Sequence, residues 1–290
     1  QYPVGGIVYA AKNIQSADQL KQMIDNTKLY TSYPLFIAID GEGSDTDAVA
    51  AAGLGTKVDT PQSIGATGDT NNAYLAGTTV GTYLAELGFN LDFAPSADLS
   101  VVDGNAAGSS SYGTDAATVA RFGAEMARGI QAAGVMACAK HFPGHGGTNV
   151  DTHKSLPTIT LSMEELEAGP LVPFYAAIEA GVKSIMTTHI MFPALDKEYP
   201  GTLSGAVLSA LLRGKMRYGG IIITDCLEMG AIASRYGAAE AALLAAKENT
   251  SLPVVATMIF DTKGRLLTGG GIRQALMAAP LWRYAAEYGL

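Results

Sequence analysis

The sequence predicts an α/β fold, a parallel (β/α)8 barrel of TIM type, on three observations. Short runs rich in β-branched residues alternate with longer segments of helical periodicity, the pattern of repeated βα units. The apolar runs are continuous rather than alternating, as in the three isoleucines at 221–223, which marks strands covered on both faces. A chain of 290 residues, 48% hydrophobic and 16% charged, is also long for an ordinary domain but normal for one barrel. The expectation is a single domain over residues 1–290.

Along the chain, strands are expected in GGIVYA from Gly5, PLFIAID from Pro34, FNLDFAP from Phe89, VMACAKHF from Val135, SIMTTHIMF from Ser184, GIIITDC from Gly220 and PVVATMIF from Pro253. The intervening segments begin and end as helices do. LSMEELEAGPLVPFYAAIEAG offers Ser162 and Glu165 as a capping box, with Gly181 just past its end. LSGAVLSALLRGKMRYGG similarly begins at Ser204 and ends at Gly219. This reading leaves the barrel one strand short. Closure then needs a strand upstream of Gln1 or an unusual contribution from the C-terminal stretch; otherwise the sheet is open and doubly wound. No G-x-G-x-x-G turn follows the first strand, which weighs against a dinucleotide fold.

Charge narrows the partners. With 19 Lys and Arg against 27 Asp and Glu, the net charge is −8 and no basic cluster offers itself to phosphates, so no nucleic-acid partner is expected. A neutral or polar small molecule fits better. Cys138 and Cys226 both lie in apolar strand-like segments, so free thiols are expected rather than a disulfide framework. No charged-then-apolar leader opens the chain, and no apolar run reaches the roughly 20 residues of a membrane helix. The expectation is a soluble chain without a membrane span, cytoplasmic or secreted after removal of a leader.

The polar residues collect at the C-terminal ends of the expected strands, where parallel α/β folds place their chemistry. PLFIAID runs into Asp40 and Glu42, VMACA into Lys140 and His141, SIMTT into His189, and GIIIT into Asp225. All four histidines, His141, His145, His153 and His189, fall at strand ends or in the loops just beyond them. Any one of these has an ordinary reading: a satisfied loop histidine, a helix-capping aspartate, a solvated lysine. Their convergence points to one shared site. Asp225 stands out individually, because a carboxylate directly after an apolar strand is poorly solvated unless a polar site surrounds it. A metal centre is the next reading of the histidine loop. Pro143 and Gly144, however, prevent His141 and His145 from presenting as i, i+4 helical ligands, so neither a metal nor any other cofactor is expected. A nucleophilic serine would want a G-x-S-x-G turn, which the chain lacks.

AKHFPGHG from Ala139, the following Asp151, Thr152 and His153, and GIIITDCLEMGAI together resemble glycoside hydrolase family 3, especially its β-N-acetylhexosaminidase branch. IDGEG, FNLDFAPSADL and TTHIMFPALD are similar to further signatures of that family and come in the same order, so the resemblance covers about residues 1–245. It implies a retaining hydrolase acting on saccharides with terminal β-linked N-acetylglucosamine. Asp225 would be the nucleophile and His153 the general acid/base, with Asp151 as its partner. Asp40, Lys140 and His141, with His189, would hold the sugar.

Three departures stand against the pattern. The arginine that the family carries soon after EGG is absent from SDTDAVAAAG, and the family's RSFG is here Ser110, Ser111, Tyr112 and Gly113. Serine neither reaches nor compensates charge as arginine does. Two outcomes stay open: a hydrolase, weakened or not, and a barrel without useful catalysis that serves as scaffold or sugar-binding module. The third departure is the tail. After Lys247, KENTSLPVVATMIFDTKGRLLTGG resembles the homocysteine methyltransferase barrel of methionine synthases. That suggests a chimera whose residues 246–290 are foreign and close the sheet; a divergent natural hydrolase is the alternative. The methyltransferase family binds zinc through cysteines, and neither cysteine lies in the tail, so methyl transfer is not implied.

Overall fold

The computed structural model describes residues 5–29, 32, 34–44, 47–105, 107–247 and 254–255. Seven parallel strands lie side by side in chain order: β1 Gly6–Val8, β2 Phe36–Ile39, β3 Leu91–Asp92, β4 Met136–Phe142, β5 Ser184–Thr187, β6 Ile221–Thr224 and β7 Val254–Val255. Each falls inside one of the apolar runs expected to form it. The expectation of eight closed strands is met only in part. Among the described residues β1 and β7 are the two edges of the sheet, and no eighth strand joins them.

Successive side chains of a strand point to opposite faces, and here the two faces bury different cores. Phe36, Ala38, Leu91, Phe93, Met136, Cys138, Met186, Ile221 and Ile223 form one cluster. Their neighbours Ile37, Ile39, Ala137, Ala139, Ile185 and Ile222 belong to a second, larger cluster shared with the helices. A sheet with a private core on one face and helices on the other is curled on itself, as in a barrel wall.

The outer layer comprises α1 Ala17–Lys28, α2 Ala48–Ala51, α3 Pro61–Ala66, α4 Asn71–Leu87, α5 Ala116–Ala132, α6 Met163–Ala168, α7 Leu171–Glu179, α8 Gly230–Ala233 and α9 Ala238–Lys247. Side-chain caps start several of them: Ser16 accepts from the Gln19 amide, Thr60 from Ser63 with Pro61 at the first helical position, and Asp115 from Thr118. α4 and α5 approach closely because glycine lines their crossing. A Cβ on Gly77 would lie 2.3 Å from the Met126 carbonyl oxygen, and one on Gly129 2.2 Å from that of Tyr74.

Two helical expectations change in detail. The predicted capping box forms, with Ser162 accepting from the Glu165 amide, but the single helix it was to open breaks into α6 and α7 at Gly169 and Pro170. Proline has no amide to continue the ladder, and it disfavours helical backbone at the residue before it. The segment beginning at Ser204 is wound wide, as a π-helix over Ala206–Lys215, and the Met216 amide donates five residues back to the Leu211 carbonyl at 2.9 Å.

Candidate functional site

Strand alternation decides which polar residues face inward. Ala38, Cys138 and Ile223 belong to the inner core, so the residues two further on, Asp40, Lys140 and Asp225, leave the strands on that same inner face. All three emerge at the C-terminal rim.

Lys140 is buried, its side chain 7% exposed, with Nζ 2.5 Å from Asp40 Oδ1 and 3.6 Å from Glu42 Oε1. Burial alone would lower the pKa of the ammonium, but the carboxylates of Asp40 and Glu42 outweigh it and keep the lysine charged. Glu42 is itself enclosed, and burial raises its pKa against the pull of Lys140. The Ser110 hydroxyl donates to Glu42 Oε2. The serine that replaces an expected arginine thus satisfies a lone pair without supplying charge.

Asp98, in the loop after β3, organises the histidine turn. Its side chain is fully buried and accepts from the His141 amide at 3.2 Å, from the His145 amide at 2.6 Å and from His141 Nδ1 at 2.7 Å. Burial would raise the carboxyl's pKa, but His141 and these donors hold it below the usual carboxylate range. The imidazole of His141 responds in the opposite sense: burial lowers its pKa, and the Asp98 charge more than restores it, leaving it raised. Asp98 was not among the residues expected at the site. The signal for it is its place just past the FNLDFAP run, at the end of the third strand.

Asp225 continues β6, its amide donating to the Thr187 carbonyl at 3.3 Å and its Oδ1 accepting from the Cys226 amide at 2.7 Å. Burial pushes its pKa up, but the imidazoles of His141 and His189, the Cys226 amide and Lys140 together bring it below the ordinary value. Of these, His141 counts for more than Lys140. His189 lies beneath the rim rather than on it. Fully buried, its Nε2–H donates to the Cys226 carbonyl at 2.9 Å and its Nδ1 lies 2.8 Å from Thr202 Oγ1. With both nitrogens engaged and burial favouring the neutral ring, it braces the backbone beside Asp225 and has no ring nitrogen left for a sugar hydroxyl.

Asp151 and His153 form the expected pair: His153 Nδ1 lies 2.9 Å from Asp151 Oδ1, with Lys154 Nζ 3.2 Å from the other carboxylate oxygen. The His153 and Lys154 contacts hold the Asp151 pKa down. Both members are exposed, His153 at 77% and Asp151 at 43% of the side chain, yet their loop is docked. The Gly230 amide donates to the His153 carbonyl at 3.0 Å and the Ala231 amide to that of Thr152 at 3.1 Å. The segment that receives this loop is the one that follows Asp225. Asp40, Lys140, His141 and Asp225 therefore share one rim, with Glu42 and Asp98 beside them and the Asp151–His153 loop fastened to the segment that follows β6. Among the described residues, no group of three His, Cys, Asp or Glu side chains is arranged to hold a metal.

Comparison with known proteins shows the family. The glycosyl hydrolase family 3 N-terminal domain matches residues 1–258. The chain is 31% identical over 265 residues to the beta-hexosaminidase A of Pseudoalteromonas piscicida, covering 84% of itself and 44% of that protein. It is 29% identical over 288 residues to a beta-hexosaminidase of Neisseria gonorrhoeae, covering 97% of itself and 79% of that relative. Among solved structures, a family 3 beta-N-acetylglucosaminidase from Paenibacillus sp. superposes with a TM-score of 0.80 at 37% identity, over 99% of this chain and 53% of that one. The chain thus spans about half the length of several proteins that it matches. These matches correct the reading of the tail. The family match runs past the expected junction at residue 245, and the Neisseria alignment extends over nearly the whole chain, so a join to a methyltransferase barrel gains no support. Apart from β7, whose Val254 and Val255 pair with Ile222 and Ile223, residues 248–290 lie outside those described. From the inner-face rim to the docked histidine loop, this chain belongs to glycoside hydrolase family 3.

Proposed function

We propose that the chain is the catalytic barrel of a β-N-acetylhexosaminidase-like glycosidase, which removes terminal β-linked N-acetylglucosamine with retention of configuration. The observation that carries this reading is the docking of the Asp151–His153 loop on the segment following Asp225, an inward-facing carboxylate held in its ionised form.

In the first step the Asp225 carboxylate attacks the anomeric carbon while His153 protonates the departing glycosidic oxygen, so that one C–O bond forms as the other breaks. In the second, His153 takes a proton from water, the water oxygen attacks the same carbon, and Asp225 is released. Retention follows from two inversions. An imidazole is the side chain suited to both giving and taking a proton in the two steps. Asp151 accepts from Nδ1–H and steadies the imidazolium, leaving Nε2 to move the proton. Asp40 accepts from a sugar hydroxyl. Lys140, with one donor on Asp40 and Glu42 within ion-pair distance, offers a further donor, and His141 offers Nε2.

The test is hydrolysis of 4-nitrophenyl N-acetyl-β-glucosaminide by the wild type and by Asp225→Ala. Turnover should fall by about a thousandfold or more with folding intact. Full activity in the variant would remove Asp225 from the role of nucleophile. One observation favours a second reading, a sugar-binding barrel without turnover: Ser110, in place of an arginine, is spent on Glu42. Sugar binding by calorimetry without release of nitrophenol would select that reading.

A further inference from the structure

The residue between the two members of the proton-transfer pair is their structural opposite. Asp151 and His153 are exposed, whereas Thr152 is buried, with 4% of its surface accessible. Its hydroxyl lies 3.3 Å from His145 Nε2. Its carbonyl accepts from the Ala231 amide at 3.1 Å. His145 is also buried, and its other nitrogen, Nδ1, has no hydrogen-bond partner among the described residues, so the contact to Thr152 is the polar contact that its ring makes. The backbone of His145 is tied at 2.6 Å to Asp98, the carboxylate that also grips His141. A continuous chain of contacts therefore runs from the residue proposed to hold the sugar, through Asp98, His145 and Thr152, to the segment that follows Asp225.

We infer that Thr152 and His145 are positioning residues for the proposed reaction: they fasten the Asp151–His153 pair at a fixed height over the nucleophile and touch no substrate themselves. The physical ground is leverage. Exposed side chains on a loop are placed only as well as the loop's backbone is, and Thr152 is the one member of the triplet whose side chain is buried. A displacement of about 1 Å at a proton-transfer group costs on the order of a hundredfold in rate. Sugar contacts made by Asp40, Lys140 and His141 are set by other bonds, the Lys140–Asp40 ion pair and the hold of Asp98 on the His141 ring and amide, and do not use the Thr152 hydroxyl. The consequence is a division: loss of the latch lowers kcat and spares KM.

The inference rests on the glycosidase reading, and the experiment separates the two. In Thr152→Val, which removes the hydroxyl and keeps the shape, kcat on the chromogenic glycoside should fall about ten- to a hundredfold, with KM within about threefold of the wild type. Thr152→Ser should recover most of the loss. His145→Phe, which keeps a ring but removes Nε2, should reproduce the defect; it carries the test should the valine variant not fold. Combining the two should cost no more than either alone. Hydrogen exchange reads the docking without substrate: the Gly230 and Ala231 amides, which donate to the loop, should exchange at least about tenfold faster in both variants. Wild-type kcat in both variants, a loss confined to KM, or equal damage in Thr152→Ser would overturn the inference. A wild-type chain that never turns over glycoside would overturn the functional reading instead. The latch is then decided by exchange alone, and unchanged protection at Gly230 and Ala231 would refute it.

Discussion

Asp98 carries more of the site than any residue that touches solvent. It is a buried carboxylate with two backbone amides and one imidazole as donors, and its charge and that of His141 sustain each other. Because the folded Asp98 pKa is depressed, its contribution to stability is present above the unfolded value of about 3.9 and lost as pH falls through the folded one. Because the folded His141 pKa is raised, its contribution is full below the unfolded value of about 6.5 and lost as pH rises through the folded one. The pair therefore stabilises most between roughly pH 4 and 6.5. Asp98→Asn should destabilise by about 3 kcal/mol near pH 5, and the gap to wild type should narrow toward pH 9, as read by thermal unfolding at each pH. A gap that is constant from pH 5 to 9 would show that the charges are not coupled. Of this residue-scale picture, Asp40, Lys140, His141 and Asp225 were legible in the sequence because each directly ends a recognisable strand. Asp98 was not, because β3 is only two residues long and the aspartate follows after a further stretch without regular strand pairing. His189 was legible as a polar residue at a strand end, but sequence spacing is blind to whether an imidazole faces the cavity or is consumed by Thr202 and the Cys226 carbonyl beneath it.

At the scale of elements, the crossing of α4 and α5 gives the clearest test of packing. In an open helix, replacing glycine by alanine gains roughly 0.5–1 kcal/mol from reduced backbone entropy. At Gly129 the sign should reverse, since the added carbon would meet the Tyr74 carbonyl oxygen at 2.2 Å and the Thr78 nitrogen at 2.8 Å. Gly129→Ala should destabilise by about 2 kcal/mol in urea unfolding; a stabilised variant would show that the helices sit further apart. The strands were readable because both faces are covered, which leaves continuous apolar runs. The helices were readable from their caps, but their interiors were less so. A capping box says where a helix begins, whereas the break between α6 and α7 depends on where Pro170 falls in the turn. The wide winding of Ala206–Lys215 has no local signature at all, since its i, i+5 bonds reflect how Met216 and Tyr218 are drawn into the core.

For the molecule as a whole, a curled parallel sheet collects residues distant in sequence onto one inner rim, and the order of the strands in the chain is also their order in space. That correspondence is why strand-end residues from Asp40 to Asp225 can be joined into one site from the sequence. Closure was beyond the same reasoning: among the described residues nothing pairs with the outer edges of β1 and β7. The tail misled for a related reason: a short apolar strand flanked by polar turns looks alike in many barrels, and only alignment across the full length tells one lineage from another. If Asp225 is the nucleophile, as proposed, it forms a covalent bond to the sugar. The direct measurement is incubation with a 5-fluoro N-acetyl-β-glucosaminyl fluoride, whose fluorine slows release of the intermediate, followed by peptide mapping by mass spectrometry. A single glycosyl adduct on Asp225 is the expected result, and turnover of the chromogenic glycoside with no adduct, or with the adduct on another residue, would contradict it.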